Sequence, residues 1–145
     1  MKPLVVTRPG ATEDEIQATF VRWCEIWLLP EVQWTAFPSD GLRTAAGAAR
    51  LKRLGWKAGW PDWQAVHKGL YHGLEFKRPG RELTISRLLL GRDGKWRERI
   101  GQGPRVRMLE SAGAKGRIAV VCSVDDAIRW VNDWRMLRPG ADLPK

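Results

Sequence analysis

The apolar run at residues 118–122 constrains the fold of this chain more than any other segment. Consecutive apolar residues without alternation are typical of a strand that is buried on both faces. Such a strand belongs to a sheet that carries helices. Ser123 follows the run as the N-cap of a helix, and Val124, Ile128 and Val131 share one face of that helix. The run therefore predicts an α/β protein.

The remaining segments alternate between helical and extended patterns. Thr12 and Glu15 form a capping-box pair that begins a first helix, which ends at Pro30. Further helices are predicted at 44–54 and 104–113, and further strands at 32–37, 63–66 and 71–77. The last two strands form a hairpin across Lys68-Gly69-Leu70. The resulting order, α-β-α-β-β-α-β-α, predicts one domain with a mixed central β-sheet flanked by helices.

The segment 85–101 fits this order least well. Two stretches of strand-like composition surround Gly91-Arg92-Asp93-Gly94, which resembles a hairpin turn. The segment is predicted to be either a second hairpin or a mobile basic loop. In both cases we expect a basic insertion beside the site, where it could hold a phosphate backbone.

The charge of the chain is concentrated in its middle. The whole chain has 25 basic and 16 acidic residues, a formal net charge of +9. Residues 42–117 hold 18 basic and 6 acidic residues, which gives a net charge of +12 there. Such a charge predicts a polyanionic partner, because contacts with phosphates release condensed counterions. The alternative is a well-solvated surface without a ligand.

Other features of the composition exclude several classes of protein. Two cysteines and two histidines cannot form the usual tetrahedral zinc sites. The sequence contains neither an apolar run long enough to span a membrane nor a secretory signal, so we expect a reduced, cytoplasmic protein. Most of the nine tryptophans are expected in the core.

Two short motifs, Pro61-Asp62 and Glu75-Phe76-Lys77, contain the candidate catalytic residues. Side chains alternate along a strand, so Glu75 and Lys77 project to one side and Phe76 to the other. Pairing of the hairpin brings Asp62 to Glu75, and a hard cation such as Mg²⁺ would relieve the repulsion between the two carboxylates. A lysine beside them could stabilise charge on a phosphate, which predicts phosphodiester hydrolysis. The alternative is an exposed ion pair on an edge strand, with Asp62 in a turn.

Five segments follow one another in order over about residues 12–134. They are Glu13-Asp14-Glu15-Ile16-Gln17; residues 37–43; residues 48–55 together with Gly59-Trp60-Pro61-Asp62; Glu75-Phe76-Lys77; and Gln102 with Leu109 and Gly113. With these segments the chain resembles the VRR-NUC domain, a branch of the PD-(D/E)xK nucleases, whose core is restriction-endonuclease-like. Two departures are the insertion at 85–101 and Asp40, where the family commonly has an asparagine.

The resemblance implies the roles of individual residues. Asp62 and Glu75 would be ligands of Mg²⁺, for which Mn²⁺ would substitute, and Lys77 would be the catalytic lysine. Gln102 would orient the lysine, the water or the phosphate. An acid on the first helix would complete the metal site. Glu13 is the preferred candidate and Glu15 the alternative, because only one of them can face the metal.

The activity implied by the resemblance is that of a structure-selective DNA endonuclease that acts on Holliday junctions or flaps, as a homodimer. A catalytically silent nuclease fold that binds nucleic acid is the alternative, and a tryptophan-rich protein-binding surface is a third interpretation. Arg43 is either a phosphate contact or a solvated residue at the start of a helix. The candidate DNA-binding residues are Arg43, Arg50, Lys52, Arg78, Arg87, Arg92, Lys95, Arg97 and Arg99.

Overall fold

The computed structural model describes residues 10–37, 44–78, 87–90, 92–99 and 102–145. Its helices are α1 (Glu13–Trp27), α2 (Ala45–Arg53), α3 (Gln102–Leu109) and α4 (Val124–Asp133). A π-helical turn, Glu110–Ala114, extends α3. Its strands are β1 (Gln33–Ala36), β2 (Trp63–His67), β3 (Leu70–Phe76), β4 (Arg87–Leu90), β5 (Trp96–Arg99) and β6 (Ile118–Val121).

Four of the strands form a mixed sheet in the order β1-β2-β3-β6. Strands β1, β2 and β3 are antiparallel, whereas β6 runs parallel to β3. Helices α1 and α4 pack together on one face of the sheet. The predicted mixed sheet flanked by helices is therefore confirmed.

Strands β4 and β5 form a separate antiparallel hairpin with Leu89 opposite Arg97. Of the two alternatives for the insertion, the hairpin is confirmed over these residues. Residues 85, 86, 91, 100 and 101 of the insertion lie outside the described residues.

Local sequence signals determine where the helices begin. The Thr12 hydroxyl accepts a hydrogen bond from the Glu15 N–H, and the Glu15 carboxylate accepts one from the Thr12 N–H, so the predicted capping box is present. Thr44 and Ser123 cap α2 and α4 in the same way with their hydroxyls. Each cap satisfies an N–H that the helix leaves without a partner.

Aromatic packing links α1 to the sheet. Phe20 is fully buried, and its ring centroid lies 5.5 Å from that of Trp63 and 5.7 Å from that of Phe76. Trp23 stacks beside it at 6.2 Å. The helix is thereby fixed against the two strands that carry the acidic motifs.

Two expectations about burial hold only in part. Strand β6 buries Ala119 and Val121 on one face, whereas Val120 on the other face is 41% exposed. Among the tryptophans whose burial the structure describes, Trp27, Trp34 and Trp134 are partly buried and pack against the core. Trp23 and Trp63 are buried, but Trp60 and Trp130 are exposed, since an indole is large enough to lie partly in the core and partly at the surface.

None of the helices in the described ranges combines the length and the apolar composition that crossing a bilayer requires.

We expect Phe20→Ala to lower the free energy of unfolding by about 3–5 kcal/mol, because it removes a buried ring and leaves a cavity between α1 and the sheet. Urea unfolding followed by circular dichroism measures the change. Leu54→Ala is the control, since Leu54 is 67% exposed and should change stability by less than about 0.5 kcal/mol. Equal effects of the two substitutions would contradict this account of the core.

Candidate functional site

The register of β2 and β3 determines the position of Asp62. Trp63 pairs with Leu74, so Asp62 lies across from Glu75 at the end of the hairpin. The Asp62 carboxylate accepts a hydrogen bond from the Phe76 N–H (2.9 Å), and its carbonyl accepts one from the Phe37 N–H (2.7 Å). Asp62 is therefore held by the backbone on both sides and is not a free turn residue.

Glu75 and Lys77 lie in the interior of the protein. Strand β3 has neighbours on both sides, β2 and β6, and the side chains of Glu75 and Lys77 are 2% and 11% exposed. The Lys77 ammonium lies 3.5 Å from Oε1 of Glu75. The Lys77 N–H also donates to the Val121 carbonyl, which extends the pairing with β6 by one residue. The alternative of an exposed ion pair on an edge strand is wrong.

Gln102 lies beside these residues although the insertion precedes it. It is the first residue of α3, and its amide Nε2 donates a hydrogen bond to Oε1 of Glu75. That oxygen is also the one nearest the Lys77 ammonium. Gln102 and Lys77 together thus fix the orientation of the Glu75 carboxylate.

The first helix brings one acidic side chain to the site. Oε1 of Glu13 accepts a hydrogen bond from the Arg78 N–H (3.3 Å), one residue beyond Lys77. Its charge raises the pKa of both Asp62 and Glu75, whereas Glu15 takes part in the capping box. Of the two candidates on α1, Glu13 is the one that the fold places beside the other carboxyl groups.

Burial and like charge make this carboxyl pair unfavourable. Burial, and next the negative charge of Asp62, raise the pKa of Glu75 to about 8, although Lys77 opposes the shift. Burial also raises the pKa of Asp62, against the hydrogen bond from the Phe76 N–H and the charge of Lys77. One lysine therefore does not compensate two buried carboxylates.

The donor set fits a hard divalent cation. If Glu13, Asp62 and Glu75 are all ionised, three carboxylates against one ammonium leave two negative charges. Mg²⁺ is commonly held by one or two carboxylates while water and substrate oxygens complete its shell. Asp62 and Glu75 supply those two.

The described residues do not form a complete protein cage for a metal. Within the described ranges, no three or more His, Cys, Asp and Glu side chains are arranged to hold a metal ion. Glu13 therefore contributes charge to the site in this arrangement, and its role as a third ligand stays a prediction.

The candidate DNA-binding residues are distributed over several elements. Arg50 and Lys52 are exposed on α2, and Arg78 is exposed directly after Lys77. Arg92 and Lys95 are exposed in the turn between β4 and β5. Arg87 lies on β4, Arg97 and Arg99 lie on β5, and Arg43 lies outside the described residues.

The structure adds neighbours of the site that the motifs did not reveal. Trp60, 39% exposed, directly precedes Pro61 and contacts the ring of Tyr71 edge to face at 6.1 Å. The Arg105 guanidinium lies 5.8 Å from the centroid of Trp60, and its Nε donates to the Ala58 carbonyl. The one available signal was spacing, since Arg105 follows Gln102 by three residues and so lies on the same side of α3.

Comparison with known proteins gives no information on function, so the function is inferred from the residues of the site. Scans of family models, of curated proteins and of solved structures find no match to this chain. The resemblance to the VRR-NUC domain accordingly stays a prediction that depends on the five sequence segments.

We expect Glu75 to make the metal-free protein less stable as the pH rises. Its pKa is raised from 4.5 to about 8 on folding, so the folded protein keeps a proton that the unfolded chain releases. The contribution of Glu75 to the free energy of unfolding is fully present below pH 4.5. It decreases by up to about 1.4 kcal/mol per pH unit as the pH rises from there to about 8. Urea unfolding in EDTA measures it.

The control is Glu75→Gln, which removes the titrating group and should flatten this part of the profile. Comparing the two proteins also cancels the contribution of His72, because both contain it. Burial lowers the pKa of His72 to about 4, so this residue reduces the stability of both proteins as the pH falls. Mg²⁺ at pH 8 should stabilise the wild type and leave Glu75→Gln nearly unchanged. Parallel profiles of the two proteins would show that Glu75 is not the buried acid described here.

Proposed function

We propose that this protein is a Mg²⁺-dependent DNA endonuclease with a restriction-endonuclease-like core of the VRR-NUC type. One observation carries the proposal: Asp62 and Glu75 meet on adjacent strands with the Lys77 ammonium 3.5 Å from Glu75. Metal, water and lysine at one phosphate are the components of phosphodiester hydrolysis. The sequence motifs and this geometry support the same reaction.

Each residue has a distinct part in the reaction. Asp62 and Glu75 would hold Mg²⁺, or Mn²⁺ in its place. The bound ion would act as a Lewis acid on the phosphate and would activate the attacking water. Gln102 keeps the Glu75 carboxylate in one orientation through its amide hydrogen bond.

Lys77 acts on the phosphate. Its ammonium is nearly buried, so little water screens its charge, and it can donate to a phosphate oxygen on which negative charge develops. The pairing of its N–H with Val121 fixes the backbone from which it extends.

The basic surface supports DNA as the substrate. The stretch 42–117 has a net charge of +12, and Arg50, Lys52, Arg92 and Lys95 are exposed on α2 and on the β4–β5 hairpin. We infer branched or flapped DNA as the preferred form, with the hairpin against one arm. Two symmetric cuts at a four-way junction require two sites, so the active form would be a homodimer.

The alternative, a silent fold that only binds nucleic acid, is less well supported. Both carboxylates, the lysine and the glutamine are present and in contact, which is not the pattern of a decayed site. Binding that is identical in EDTA and Mg²⁺, without product, would favour this alternative.

We expect Asp62→Asn, Glu75→Gln and Lys77→Ala each to lower the rate of cleavage by at least about 100-fold, because each removes a charge that the transition state needs. A panel of single-stranded, duplex, flap and four-way-junction DNA with Mg²⁺ measures the rates. Lys115→Ala, which changes an exposed lysine after α3, is the control and should cleave normally.

The proposed activity is wrong if the wild type cuts none of these substrates with Mg²⁺ or Mn²⁺. It is equally wrong if the three variants cut as the wild type does. Binding of DNA by all three should persist, because the exposed basic residues are unchanged.

We expect Arg92→Ala and Lys95→Ala each to weaken DNA binding and to reduce the slope of log K against log salt by about 0.9, as the loss of one phosphate contact would. Fluorescence anisotropy over a salt series measures the slope. Arg129→Ala is the control, since Arg129 lies on α4, across the sheet from the site, and pairs with Asp126. A slope that neither Arg92→Ala nor Lys95→Ala changes, or that Arg129→Ala changes equally, would remove the hairpin from the DNA interface.

A further inference from the structure

Pro61 packs directly onto the backbone of β3 at Gly73. A Cβ added to Gly73 would lie 2.7 Å from Cγ and 2.9 Å from Cβ of Pro61, and 3.1 Å from Cδ1 of Ile118. Real Cβ atoms do not make contacts as short as those with Pro61. Gly73 is not among the residues with positive φ, so the glycine is required by space and not by backbone conformation.

The close approach leads directly to the candidate metal ligand. Pro61 is fully buried and immediately precedes Asp62, and the proline ring fixes its φ near −65°. The Pro61 carbonyl also accepts a hydrogen bond from the Gln64 amide (3.3 Å). A displacement of the Pro61 ring would shift the backbone that leads into Asp62, because a single peptide unit joins the two residues.

Gly73 and Glu75 share a strand and project to the same face, two residues apart. The strand that carries Glu75 thus also provides the surface on which Pro61 rests. The distance between the Asp62 and Glu75 carboxylates depends on how closely Pro61 can approach Gly73.

We propose that Gly73 is a positioning residue, and that the contact between Pro61 and the bare backbone of Gly73 brings Asp62 to Glu75. This inference rests on the proposed nuclease function. A methyl group at residue 73 moves the proline by about 0.5–1 Å, which exceeds the tolerance of about 0.5 Å for a catalytic arrangement.

The test compares Gly73→Ala with two double variants. In Gly73→Ala/Pro61→Gly, the ring that the new methyl group meets is absent. In Gly73→Ala/Ile118→Val, only the contact with Cδ1 of Ile118 is relieved, and the one with Pro61 remains. Pro61→Gly alone completes the cycle.

For each variant we would measure kcat and KM on the best DNA substrate, the affinity for Mn²⁺ by calorimetry without DNA, and the midpoint of urea unfolding. We expect Gly73→Ala to lose about 100-fold in kcat, as a misplacement of about 1 Å can cause, with little change in KM. Its affinity for Mn²⁺ should fall about 10-fold.

Pro61→Gly in the Gly73→Ala background should restore kcat and Mn²⁺ affinity to the levels of Pro61→Gly alone, and Ile118→Val should restore neither. If Gly73→Ala does not fold, the same rescue is read from the two double variants. The inference is overturned if Gly73→Ala has the same kcat as the wild type, or if Pro61→Gly and Ile118→Val rescue it equally. In either case, cleavage of DNA by the wild type still supports the proposed function. A wild type that neither binds Mn²⁺ nor cleaves DNA removes both.

Discussion

The pairing register of β2 with β3 is the constraint on which the rest of the site depends. A two-residue turn, Lys68-Gly69, joins the strands, and both turn residues have positive φ (50° and 75°), as tight hairpin turns require. A slip by one residue would move Glu75 to the face of the sheet that now holds Phe76, and would move Phe76 out of the core. The turn and the buried residues Trp63 and Leu74 therefore decide together that Asp62 meets Glu75.

The site is costly for the fold that contains it. A carboxylate on a side chain that is 2% exposed, beside another carboxylate, is among the least favourable groups a protein can bury, and Lys77 and Gln102 only partly offset this. Strand β3 could have carried an apolar residue at position 75, as it does at Leu74 and Phe76. Unfavourable charge kept buried in an otherwise consistent fold marks a functional site more often than a structural one.

Much of this arrangement could be predicted from sequence, because the responsible signals are local. The capping box at Thr12, the β2–β3 hairpin and the encounter of Asp62 with Glu75 follow from spacing and strand alternation. The exposure of Val120 could not be predicted, since an apolar run does not show whether both faces of its strand are covered by other elements. Trp60 and Arg105 were missed for a similar reason: their contact joins segments 45 residues apart.

The elements around the site form two groups: a rigid frame made of strands β2, β3 and β6, and a periphery of exposed elements outside this frame. Lys77 is paired with β6 and Asp62 with the Phe76 and Phe37 N–H groups, so the backbone behind each charged group is fixed by the sheet. Four exposed basic residues, Arg50, Lys52, Arg92 and Lys95, lie instead on α2 and on the β4–β5 hairpin, outside that sheet. Under the proposed nuclease function, a frame of this kind would hold the reaction geometry constant while the peripheral elements contact DNA of different shapes. Selectivity for a branched structure would then arise in the periphery, and the chemistry in the β2–β3–β6 frame.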